Sequence, residues 1–60
     1  MNTEKRMETQ AAITKLQAAG YTVDVRSCFL NCSKGSFRYP LDITNGTVNW
    51  RKVSYLVFIA

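Results

Sequence analysis

The chain has 60 residues, a formal charge of +4 from eight basic and four acidic side chains, no histidine and two cysteines. That length bounds residues 1–60 to one small domain, which buries only about 60% of the surface its unfolded chain exposes and leaves little material to wall a substrate pocket. Without histidine no Ser/His/Asp or Cys/His catalytic arrangement can form, and a hydrophobic share of 47% is ordinary for a folded chain, so a folded domain is expected.

The first element is a predicted helix over Thr3–Ala19, with Asn2 or Thr3 as N-cap and Gly20 as the stop that takes the left-handed conformation cheaply. At 100° per residue Ala12, Ile13, Leu16 and Ala19 share one face, which is the stripe expected to meet a sheet. Tyr21–Leu30 alternates, with Tyr21, Val23, Val25 and Phe29 on the inner side, and reads as a strand. Asn31-Cys32-Ser33-Lys34-Gly35 reads as a loop. Phe37, Tyr39, Leu41 and Ile43 then alternate in a second strand, in which Pro40 demands an edge, a bulge or solvent on its nitrogen side.

Asn45-Gly46 is the strongest local signal, because both residues tolerate the positive φ of a two-residue type I′ hairpin. That turn pairs Thr44 with Thr47 and predicts a long third strand, Thr47–Ile59. The same register would bury Lys52, so a bulge is expected near Arg51 and Lys52. The expected architecture is α+β, one N-terminal helix packed on a three-stranded antiparallel meander (α-β-β-β). Val23, Val25, Phe37, Tyr39, Leu41, Val48, Trp50, Val53, Tyr55 and Val57 form its core, with Trp50 buried near the centre. The helix–strand–strand–strand order resembles the first part of the double-stranded-RNA-binding domains. The resemblance is one of element order; with the third strand expected to run to Ile59, no counterpart of that family's second helix, with its lysine-rich start, is expected after Ala60, and no residue is carried over.

The chemistry-bearing residues are few. Cys28 and Cys32 are spaced C-x3-C, which supplies two of the four ligands a structural zinc site needs, and they read as ordinary thiols. The triplets Asn31-Cys32-Ser33 and Asn45-Gly46-Thr47 match the glycosylation pattern, but the polar stretch Met1–Arg6 leads to no expectation of a secretory signal, so neither is expected to be used. Glu4, Glu8, Asp24 and Asp42 are the only carboxylates, and none forms an acid–base pair. No catalytic activity, cofactor, metal, membrane span or small-molecule substrate is therefore expected, and the default setting is cytoplasmic.

Two features remain. Leu56, Phe58 and Ile59 lie on the overhang of the third strand, which must be covered either by the chain's own helix and first strand or by a partner, a second copy or another protein. Arg26, Lys34, Arg38, Arg51 and Lys52 fall on or near the polar side of the sheet. There they form a strip that either selects an acidic partner or binds nucleic acid. The leading expectation is a non-catalytic binding or regulatory protein acting through a protein partner, of the kind common among accessory proteins of bacteria and their phages. The alternative is a small nucleic-acid binder using the basic strip.

Overall fold

The protein is α+β, with two helices and two antiparallel sheets, in a computed structural model that describes residues 5–60. In chain order the elements are β1 (Arg6–Glu8), α1 (Thr9–Ala18), β2 (Thr22–Val25), β3 (Phe29–Lys34), β4 (Phe37–Asp42), β5 (Thr47–Asn49) and α2 (Trp50–Ile59). Strands β2-β3-β4 form the meander, and β1 pairs with β5 in a separate two-stranded sheet.

Helix α1 is shorter than predicted, because Arg6–Glu8 is extended and pairs with Asn49–Thr47. The expected caps Asn2 and Thr3 lie outside the described residues. Glu8 occupies the N-cap without a side-chain bond, and the Thr9 N–H donates instead to the Gly46 carbonyl at 3.2 Å. The Asn45-Gly46 turn thus satisfies one orphan donor of a helix remote in sequence. At the other end Gly20 has φ 98°. The Gly20 N–H donates to Gln17 and the Tyr21 N–H to Leu16, both at 3.0 Å, the bonding of a Schellman stop. Lys34 Nζ adds a bond to the Ala19 carbonyl at 3.3 Å, placing a cation at the negative end of α1.

The predicted first strand is two strands. A bend at residues 26–28 separates β2 from β3, and Arg26 N–H bonds to the Phe29 carbonyl at 2.8 Å. The bend shifts the alternation, so Leu30 and Cys32 face inward and Phe29 lies on the outer rows with Asn31. The segment Asn31–Lys34, expected as loop, is the central strand. Asn31 and Ser33 are on the outer face of a half-buried ladder, and only Gly35-Ser36 turns. Pro40 pairs with Asn31 on β4, an edge of the meander, as its missing N–H requires.

The hairpin at Asn45-Gly46 forms as predicted. Asn45 and Gly46 have φ 53° and 72°, and Thr44 and Thr47 exchange bonds of 2.8 and 2.9 Å. Beyond that pair the chain leaves β4. The expected long third strand is a correction: β5 ends at Asn49, and residues 50–59 are helical. No bulge resolves the Lys52 conflict; the helix does, by rotating Lys52 into solvent. Asn49 supplies the N-cap, its side chain accepting from Arg51 N–H at 2.8 Å. The meander thus lies between α1 and α2 in the chain, with β5 before α2 and paired back to β1.

Both helices cover the inner face of the meander. Ala12 and Leu16 of α1, Leu30, Cys32 and Leu41 of the sheet, Val48 of β5, and Val53 and Leu56 of α2 are fully buried in one cluster with Tyr21. Tyr21 ties it together by donating from its hydroxyl to the Leu56 carbonyl at 2.6 Å. Several predicted core residues are exposed instead: Val25, Phe37, Trp50 and Tyr55. Trp50 is at the rim rather than the centre because it opens α2.

Candidate interaction surface

Helix α2 has two apolar sides. Val53 and Leu56 are buried and Val57 half-buried against the core. Arg51, Tyr55, Phe58 and Ile59 follow an i, i+4, i+7, i+8 spacing on the opposite side. Tyr55 is 57% exposed, Phe58 85% and Ile59 43%, and Lys52 flanks the stripe in solvent. Of the residues expected to contact a partner, Phe58 and Ile59 are therefore on the surface. Leu56 is a correction, since its side chain is fully buried and belongs to the core. Tyr55 is the residue the strand assignment concealed. Helical periodicity over 50–59, with Val53, Leu56 and Val57 inward and Asn49 before them, was the signal for it.

The five basic residues do not form one strip. Arg26 is on the outer sheet face in an ion pair with Asp24 at 2.8 Å. Arg38 pairs in register with Ser33, four positions along the ladder from the Phe29–Asp42 row beside Arg26, or about 13 Å. Lys34 is turned to the inner side, where it caps α1 and lies 5.9 Å from the Tyr21 ring centroid. Arg51 and Lys52 are in the first turn of α2, across the sheet from Arg26 and Arg38. Near them Lys5 Nζ sits 5.0 Å from the Trp50 ring centroid, and Trp50 is 38% exposed.

The thiols are separated by environment. Cys28 is exposed in the bend and Cys32 buried; both are free. Burial pushes the Cys32 thiol above its ordinary value. Tyr21 is likewise raised, by burial first and then by the neighbouring Cys32 and Tyr55. Among the described residues no three His, Cys, Asp or Glu side chains group as metal ligands. No helix among them is long and apolar enough to cross a membrane. Neither protein-family models, nor curated proteins, nor solved structures give a match to this chain.

Proposed function

We propose that this chain is a small non-catalytic binding protein that acts through a protein partner at the outward face of α2, in a cytoplasmic setting that keeps Cys28 and Cys32 as thiols. The observation that carries this reading is Phe58, a large apolar side chain 85% exposed beside Tyr55 and Ile59 on a helix whose other side already fills the core. Single exposed apolar residues are ordinary; three adjacent ones on one helix face mark a contact surface. A photo-crosslinker in place of Ile59, compared with one in place of Thr22 on the far sheet face, tests it in cells. The α2 probe is expected to give an adduct that the Thr22 probe lacks and that Phe58→Asp removes while the circular dichroism spectrum is retained. Adducts identical at both positions and indifferent to Phe58→Asp would overturn the reading.

A second reading rests on the corner where Lys5 and exposed Trp50 adjoin Arg51 and Lys52. Cations beside an aromatic ring suit a nucleic-acid backbone and a stacked base. Under this reading, anisotropy of labelled single-stranded or duplex nucleic acid falls steeply with salt, and Arg51→Ala lowers the salt slope by about one. Absence of binding at low salt removes it.

A further inference from the structure

We infer that the occupant of the α2 face is an acidic amphipathic helix of another protein, its apolar stripe on Tyr55, Phe58 and Ile59 and its carboxylates on Arg51 and Lys52. The inference rests on the protein-binding reading above and specifies the partner's chemistry. Its first support is a local rule that α2 breaks. Cations are disfavoured at the positive end of a helix, yet the first turn of α2 holds Arg51 and Lys52 and no acid. Neither side chain has an ion-pair or hydrogen-bond partner among the described residues. Among the described residues nothing compensates this placement, and residues that break a local rule without compensation point to function.

The second support is the composition of the rim. The C-terminal half of α2 meets the β3–β4 turn through Tyr21, whose hydroxyl bonds to the Leu56 carbonyl and whose ring centroid lies 6.4 Å from that of exposed Phe37. Lys34 stands over the same Tyr21 ring. The apolar stripe thus starts at Arg51 and Lys52, while Lys34 lies over Tyr21, which bonds to Leu56 on the inner side of α2. Of the described acids, Glu8 is on β1, Asp24 is paired with Arg26, and Asp42 is at the Phe29 end of β4. A second copy would bring the same cations and another +4 charge to this border, whereas an acidic helix complements it. Stripes spaced i, i+3, i+4, i+7 are the usual way a helix docks along a surface of this kind.

The test uses the full chain and two designed helical peptides of about twenty residues, identical in their leucine stripe and carrying either glutamate or lysine on its flanks. Anisotropy of each labelled peptide is measured with the wild type, with Phe58→Asp and with the double variant Arg51→Glu/Lys52→Glu. The double variant puts carboxylates at the favoured end of α2, so lost binding is not lost folding. The wild type is expected to prefer the glutamate peptide about tenfold, the scale of two exposed ion pairs. That preference should shrink with salt, reverse in the double variant and vanish in Phe58→Asp. Equal binding of both peptides, still abolished by Phe58→Asp, overturns the acidic partner and leaves the protein-binding reading standing. Failure of both peptides to bind, with anionic phospholipid vesicles bound or with concentration-dependent self-association in sedimentation, assigns the face to a membrane surface or a second copy and overturns both.

Discussion

Leu56 and Phe58 make a paired experiment on the last segment. In an extended strand they would share a face and respond alike to truncation; in α2 they lie about 200° apart. Leu56 is fully buried among Leu16, Leu30 and Leu41, and Tyr21 bonds to its carbonyl. Leu56→Ala removes buried methyl groups and leaves a cavity, a loss of about 3 kcal/mol. For a domain of this size 1 kcal/mol is worth about 8 °C in Tm, so the drop is about 24 °C. Phe58 is 85% exposed, and Phe58→Ala stays within about 0.5 kcal/mol, or about 4 °C. Thermal melts followed by circular dichroism read both. Similar Tm losses in the two variants would refute the helical assignment and with it the separation of core from contact face.

Two further outcomes follow from the same packing. Gly20→Ala forces a β-carbon into a left-handed backbone at φ 98° and within 3.4 Å of Lys34 Cε, and should cost about 1–2 kcal/mol; an unchanged Tm would mean that Gly20 is not the stop of α1. Burial raises Cys32 above its ordinary 9.0 and Tyr21 above 10.0, so the folded state holds protons the unfolded chain has released. Stability from these groups is complete below about pH 9 and is lost as pH rises through the raised values. Denaturation midpoints in Cys32→Val should fall less between pH 8 and 10 than in the wild type, and an identical slope would contradict the burial of that thiol.

Local chemistry carried much of the fold. Positive φ at Asn45 and Gly46, the stop at Gly20, the edge position of Pro40 and the alternation of Tyr39 and Leu41 are each decided within a few residues, and each stands where the sequence places it. The α2 contact face was legible only in part, because Phe58 and Ile59 are apolar in any conformation, whereas Tyr55 and Leu56 exchange roles between strand and helix. Val53 and Val57, four apart, satisfy both the two-residue and the 3.6-residue period. The β-branched and aromatic residues of 50–59 favour a strand, and local propensity alone therefore selects the wrong element.

What selected the helix is tertiary. Strand β1 pairs with β5, Asn49 caps the segment that follows, and Leu56 fills the space beside Leu16 under the meander. The β1–β5 pairing joins residues about 40 apart in the chain, and the helix it leads into carries Arg51 and Lys52 away from the meander that holds Arg26, Lys34 and Arg38. Turns and stops are set by the backbone freedom of one or two residues and can be read from them. The state of an ambiguous apolar segment is set by which core vacancy its side chains fill, and that vacancy exists only once the rest of the chain has folded around it.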